Sequence, residues 1–142
     1  MKIAVITDSS SNLKMEYIEK HNNLEMVPLM ISFDGEFYRD LVEVDYDTVY
    51  SKLDQTKVTS SIPSREDFEN AVKKLMKAGY TDIIVISISS GLSGTFNSFN
   101  TAAKDFEKVN IHMYDSKTLS MALGYIVKKA MKGIEEDKSV PR

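Results

Sequence analysis

The chain has 142 residues, which is enough for one domain with a hydrophobic core. Hydrophobic residues make up 42% and charged residues 27% of the chain, as expected for a folded domain with a solvated surface. The formal net charge of -3 and the lack of a long Lys/Arg run argue against a nucleic-acid partner, because binding to phosphates needs a basic patch. The absence of cysteine excludes a disulfide framework and a thiolate metal site.

The N-terminus leads directly into an apolar, strand-like run. It lacks the charged segment, long hydrophobic stretch and cleavage site of a signal peptide. No apolar run approaches the roughly 18 residues that a membrane span needs. These patterns predict a soluble, cytoplasmic protein without a membrane span.

The first part of the chain contains two predicted strands and a weak helix. The β-branched run Lys2–Ile6 predicts a buried strand that ends in the polar turn Thr7–Ser11. A weak helix is expected at about Leu13–Lys20. Leu24–Phe33 predicts a second strand, in which Pro28 restricts the pairing.

The middle of the chain combines turns and helices. Asp34-Gly35 is a turn signal, and apolar side chains at helical spacing over 46–53 predict a helix. Val58–Ser64 predicts a polar loop. Its last residue, Ser64, is expected to cap a helix that Gly79 ends.

The last part of the chain contains the clearest buried strand, Ile83–Ile86, which runs into a polar loop at Ser89–Thr95. Val109–Tyr114 predicts another strand, and a broad apolar face predicts a last helix at about 116–136. A further helix is expected between these strands from the spacing of four apolar residues: Phe96, Phe99, Ala103 and Phe106.

Strands and helices therefore alternate along the chain. This pattern predicts an α/β fold with a mostly parallel sheet flanked by helices. In such folds ligands bind at the carboxyl ends of the strands, and the serine-rich loops lie at those ends.

The loop Ser89–Thr95 is the first candidate site, with two glycines and four hydroxyl side chains. Glycine lets a ligand approach the backbone closely, and the N-terminus of the next helix offers unpaired N–H groups to an anion. These features suit a carboxylate or a phosphate. An ordinary helix cap is the alternative here, and it is the more favoured interpretation of the serine run in Val58–Ser64.

Catalytic sites are weakly supported. Asp8 resembles a phosphotransfer nucleophile, but Ser10 stands where such sites place a second Asp, so Asp8 is favoured as an acceptor for loop N–H groups. The loop after Gly91 departs from G-x-S-x-G because Thr95 replaces the last glycine. The two histidines, His21 and His112, show no metal-binding spacing and are predicted to be structural.

Five motifs in order resemble the DegV family of bacterial fatty-acid-binding proteins, over Lys2 to about Lys138. They are T-D-S-S-S at 7–11; V-P-L with D-G and Y-R-D at 27–40; T-S-S-I-P-S at 59–64; S-S-G-L-S-G-T at 89–95; and D-S-K-T-L-S-M-A-L-G at 115–124. The resemblance implies the DegV N-terminal fold. It also implies a protein that binds a long-chain fatty acid and has no catalytic machinery or cofactor of its own.

The resemblance also implies a site and a partner. By position, the contacts to the fatty-acid carboxylate fall on Ser60 and Ser93, with Ser61 as the adjacent candidate. Candidate supporting residues are Asp8, Ser9, Gly94 and Thr95. Several family members present the carboxylate to a separate kinase that makes acyl-phosphate, so a fatty-acid kinase subunit is the expected partner.

The sequence departs from the family at two positions and in length. Where the family commonly has Thr, this chain has Ser60, which keeps the hydroxyl. Where the family commonly has Gln, this chain has Ile62, which lacks the amide. Family proteins have a second α/β domain that closes over the lipid. We therefore expect an N-terminal domain alone, at 1–138, whose exposed apolar surface favours self-association.

Two other functions stay open at this stage. Ser/Gly/Thr loops also bind sugar phosphates, so the chain can be interpreted as a phosphate or phosphosugar-binding domain. It can also be interpreted as a ligand-free fragment that acts as an interaction module.

Overall fold

The computed structural model describes residues 1–136. Its centre is a four-stranded parallel sheet that contains β1 (Ile3–Asp8), β2 (Leu24–Val27), β6 (Asp82–Ser87) and β7 (Asn110–Asp115). The order of the strands across the sheet is β2-β1-β6-β7. Every residue of β6 is buried, as expected for an apolar strand that is covered on both faces of a parallel sheet.

Helices cover both faces of this sheet. On one face lie α3 (Arg65–Lys77) and α4 (Thr95–Ala103), and the rings of Phe68 and Phe99 stack there with centroids 4.5 Å apart. On the other face lie α1 (Met15–Glu19) and α5 (Ser120–Glu135), whose buried side chains include Leu123. The predicted fold class, a mostly parallel sheet flanked by helices, is confirmed.

A second, antiparallel sheet was not expected. It contains β3 (Met30–Phe33), β4 (Glu36–Arg39) and β5 (Val58–Ser61) in the order β4-β3-β5. The turn predicted at Asp34-Gly35 joins β3 to β4, and both of its residues have positive φ. The predicted helix over 46–53 is α2 (Tyr46–Lys52).

Two strand predictions were wrong at this small sheet. The segment Leu24–Phe33 is not one strand but two, because the chain leaves the parallel sheet at Pro28, which has no N–H to donate to the ladder. The segment Val58–Ser64 is not wholly a loop, since its first four residues form β5. The mostly polar side chains of β5 do not predict a strand. The segment forms one because its backbone pairs with β3 in an antiparallel ladder.

Two helix boundaries also differ from the predictions. The last helix begins at Ser120 rather than at about 116, because a turn precedes it. The side chains of Asp115 and Ser116 accept hydrogen bonds from the N–H groups of Lys117 and Thr118, and Lys117 has a positive φ of 57° that a helix does not allow. The helix after β6 ends at Ala103, so Phe106 lies in the following turn. The predicted domain boundary at 138 lies outside the described residues.

No helix within residues 1–136 is long and apolar enough to cross a membrane. Over the same residues, no group of three acidic or histidine side chains is arranged to hold a metal ion.

Candidate functional site

The carboxyl end of β1 is fastened to the neighbouring strand by a buried carboxylate. Asp8 Oδ2 accepts a hydrogen bond from the Ile88 N–H at 2.8 Å, and Oδ1 accepts from the N–H and hydroxyl of Ser10. Burial raises the pKa of Asp8, although these hydrogen bonds counteract part of the rise. Asp8 thus orders two loops at the carboxyl edge of the sheet, the edge at which open α/β sheets usually bind ligands.

Ser9 also has a structural environment. It is buried, and its Oγ accepts the Leu29 N–H at 2.9 Å, just after Pro28 has interrupted β2. The Ser9 hydroxyl also hydrogen-bonds Asp40, whose pKa is raised by burial and lowered in part by that bond. These contacts join the turn after β1 to the beginning of the small sheet.

The loop between β6 and α4 carries Ser93. Its Oγ accepts the Thr95 N–H at 3.2 Å and lies 2.8 Å from Thr95 Oγ1. Thr95 is fully buried, whereas Ser93 is half-buried. Gly94, the residue before α4, has no side chain to cap the helix, and the first N–H group of α4 is instead satisfied by Ser93.

Asp115, at the end of β7, fixes the same loop from the other side. Its Oδ1 accepts the Ser90 N–H at 3.1 Å, and its Oδ2 accepts the Ser90 hydroxyl. The Ser89 N–H donates to the Thr118 carbonyl at 2.9 Å. No local pattern in the chain predicts this role of Asp115, because its partner is 25 positions away.

Ser60 and Ser61 lie on β5 and are both exposed. Consecutive side chains of a strand point to opposite faces, so these two hydroxyls do not project to the same side of the small sheet. Ile62 follows β5 directly, and its side chain is exposed.

The structure brings the two serine loops together at Ile62 and Gly94. A Cβ at position 94 would lie 3.6 Å from Ile62 Cγ2, which is ordinary van der Waals contact. The end of β5 therefore adjoins the turn that carries Ser93. The exposed apolar side chains Ile62 (41%) and Leu92 (61%) lie within these same two loops.

Both histidines lie in structural environments away from this edge. His112 Nε2 is 3.2 Å from an oxygen of Asp82, at the opposite end of the sheet. Burial favours the neutral form of Asp82, but hydrogen bonds from Thr81, His112 and Asn110 bring its pKa below the usual value. His21 Nδ1 is 2.7 Å from the Tyr17 carbonyl.

Comparison with known proteins identifies the family of this chain. The family described as "Uncharacterised protein, DegV family" matches residues 2–142. The chain belongs to the DegV family. A DegV domain-containing protein of Clostridium acetobutylicum is 38% identical over 138 residues, covering 97% of this chain and 49% of that protein. One from Staphylococcus aureus is 40% identical over 139 residues, covering 96% and 48%.

Solved DegV structures have the same fold. The chain matches a structure described as DegV, a fatty acid binding protein from Bacillus subtilis, with a TM-score of 0.92 and 32% identity over 99% of this chain and 50% of that one. A DegV family protein from Thermus thermophilus, described by its fatty acid binding, matches with a TM-score of 0.88 and 29% identity over 99% and 50%. This DegV chain thus spans about half the length of the curated relatives it matches.

Proposed function

We propose that this chain binds a long-chain fatty acid, with the carboxylate held by the hydroxyls of Ser60 and Ser93 and with Ser61 as a neighbouring donor. The observation that supports the proposal is the proximity of the two loops: a Cβ placed on Gly94 would lie 3.6 Å from Ile62 Cγ2. Relatives described as fatty acid binding support the choice of ligand.

The chemistry of the loops suits a carboxylate. An ionised carboxylate only accepts hydrogen bonds, and hydroxyls and helix N-terminal N–H groups supply donors. Each such bond to a charged group contributes about 1.5–3 kcal/mol. On the family resemblance by position, we assign the direct contact to Ser60 and keep Ser61 as its neighbour.

The acyl tail supplies most of the affinity in this proposal. Burial of a methylene contributes about 0.8 kcal/mol, so roughly fourteen methylenes contribute on the order of 11 kcal/mol before the costs of association. The hydroxyls then orient the ligand. The exposed side chains of Ile62 and Leu92 suit contact with the methylenes next to the carboxylate.

We further propose a carrier role rather than a catalytic one. On the family resemblance, the chain presents its bound acid in the cytoplasm to a separate kinase that forms acyl-phosphate. Within residues 1–136 both histidines lie away from Ser93, His112 beside Asp82 and His21 beside the Tyr17 carbonyl, and this supports a carrier role. Incubation of the chain with a fatty-acid kinase, ATP and fatty acid tests this, and acyl-phosphate formed equally without the chain would contradict it.

Self-association is also part of the proposal. Apolar side chains remain exposed at the edge that carries the serines, including Leu92, Leu119 and Met121. A second copy would bury them. Sedimentation velocity over a range of concentrations, with and without fatty acid, tests this, and a monomer at every concentration would contradict it.

The binding proposal is tested by titration of a long-chain fatty acid and by native mass spectrometry. We expect Ser93→Ala and Ser60→Ala each to weaken binding by roughly ten- to a hundredfold, the equivalent of one bond to a charged group. Ser51→Ala, an exposed serine on α2, is the matched control and should leave binding unchanged. Thermal stabilisation by sugar phosphates but not by fatty acids would instead favour a phosphosugar site.

A further inference from the structure

We infer that Thr95 is a positioning residue that fixes the direction in which the Ser93 hydroxyl points its proton. This inference rests on the proposed function. Thr95 is fully buried at the beginning of α4. Its Oγ1 lies 2.8 Å from Ser93 Oγ, and its N–H donates to that same oxygen at 3.2 Å. One residue therefore contacts the Ser93 hydroxyl twice.

The protons of this pair can be counted. Each hydroxyl has one proton to donate and two lone pairs that accept. One lone pair of Ser93 Oγ accepts the Thr95 N–H. Between the two oxygens there is room for one proton, so either Thr95 donates to Ser93 or Ser93 donates to Thr95.

The burial of Thr95 decides between these arrangements. Within residues 1–136, its hydroxyl has no hydrogen-bond partner other than Ser93. If Ser93 donated, the Thr95 proton would be buried without an acceptor and would lose its full solvation. Thr95 therefore donates, both lone pairs of Ser93 are occupied, and the Ser93 proton points out of the pair.

This arrangement makes Ser93 a donor without a free acceptor site. An ionised carboxylate is its complement, because a carboxylate only accepts. The ammonium of an alkyl amine, which only donates, finds no lone pair there. Thr95 thus determines which head groups the site takes, without a contact to the ligand.

A pair of substitutions separates the hydroxyl from the shape of the side chain. Thr95→Val removes the hydroxyl at nearly constant volume, and Thr95→Ser keeps it. We expect Thr95→Val to weaken binding of a long-chain fatty acid about three- to tenfold, since an unpolarised and freely rotating hydroxyl is a poorer donor. Thr95→Ser should stay within about twofold of the parent, and the preference for the acid over an alkyl amine of equal length should fall in Thr95→Val alone.

A double-mutant cycle with Ser93→Ala provides the decisive comparison. Thr95→Val should have no further effect on binding in the Ser93→Ala background, because no hydroxyl remains to be oriented. Equal losses in both backgrounds, or no loss when Ser93 is present, would overturn the positioning role and leave the proposed function standing. Unchanged binding in Ser93→Ala would also overturn the inference, whereas a parent chain that binds no long-chain fatty acid would overturn the proposed function.

The proton position can be observed without any ligand. In a neutron structure of the perdeuterated chain, the deuteron between the two oxygens should be bonded to Thr95 Oγ1. A deuteron bonded to Ser93 Oγ would overturn the inference independently of every binding result.

Discussion

The Asp8 carboxylate and the backbone N–H of Ile88 form a 2.8 Å hydrogen bond between the ends of the two central strands. The same carboxylate accepts two hydrogen bonds from Ser10, so one buried side chain orders the turn after β1 and the entrance to the loop that carries Ser93. The geometry of the candidate site therefore depends on a residue that we do not place in contact with the ligand.

Asp8→Asn is expected to lower the free energy of unfolding by about 1–3 kcal/mol, because the amide nitrogen cannot accept a hydrogen bond and leaves buried donors unpaired. Urea denaturation at neutral pH measures this. Asp47→Asn, an exposed carboxyl in the first turn of α2, is the control and should change stability by less than about 0.5 kcal/mol. Equal effects of the two substitutions would contradict the structural role of Asp8.

The raised pKa of Asp8 predicts a specific pH dependence. A carboxyl whose pKa is higher in the folded state binds more protons there than in the unfolded chain, so its contribution to stability falls as the pH rises. The parent chain should therefore lose part of its stability advantage over Asp8→Asn as the pH rises from the ordinary pKa of 3.8 through the raised pKa of the folded state. Urea denaturation of both proteins from pH 3.5 to 7 measures the difference, and a widening difference would be the contrary result.

Gly124→Ala is expected to lower the free energy of unfolding by about 2 kcal/mol. A Cβ at position 124 would overlap the carbonyl oxygen of Ser11, and a backbone atom cannot move aside as a flexible side chain can. The better helix propensity of Ala offsets only part of this cost. Gly91→Ala is the control, since its Cβ would meet Ser89 Oγ at an ordinary 3.5 Å. Thermal denaturation of both variants separates close packing from a general effect of removing glycine.

Thr7→Val is expected to leave stability unchanged or to raise it by up to about 1 kcal/mol. Thr7 is fully buried, and its Oγ1 has no hydrogen-bond partner within residues 1–136. Replacing this hydroxyl with a methyl group of similar volume removes an uncompensated polar atom from the core. Chemical denaturation measures the change, with Thr7→Ser as the companion variant that keeps the hydroxyl and loses the methyl. A loss above about 1 kcal/mol in Thr7→Val would show that the hydroxyl has a partner, such as a bound water.

Asp115→Asn is expected to speed amide hydrogen exchange at Ser90. Hydrogen bonds from the Ser90 side chain, and from the N–H groups of Lys117 and Ser90, lower the pKa of Asp115. Stability from these bonds is present above the ordinary value of 3.8 and is lost as the pH falls through the lowered pKa. The exchange rate at neutral pH, measured by NMR against that of a core amide in β6, provides the test. Unchanged protection of Ser90 would contradict this anchoring.

The sequence predicted the parallel sheet well because its strands and helices carry strong local signals. The run Ile83–Ile86 is apolar throughout, and Ser64 caps α3 by accepting the Asp67 N–H at 3.0 Å. The small sheet had no such signal. Pro28 divides one apolar run into strands of two different sheets, and β5 is a polar edge strand that is identified by its pairing with β3.

By itself the sequence determined the fold class and the family, because burial patterns, caps and the five motifs are local in the chain. It also placed the serine loops that follow β1 and β6 at the ends of those strands. Only the tertiary structure decided that the chain after Ser61 meets Gly94, that Asp115 fastens Ser90, and that Thr95 is buried against Ser93. The first two contacts join residues that are 32 and 25 positions apart, and the third depends on burial by the packed core, so no local pattern contains them.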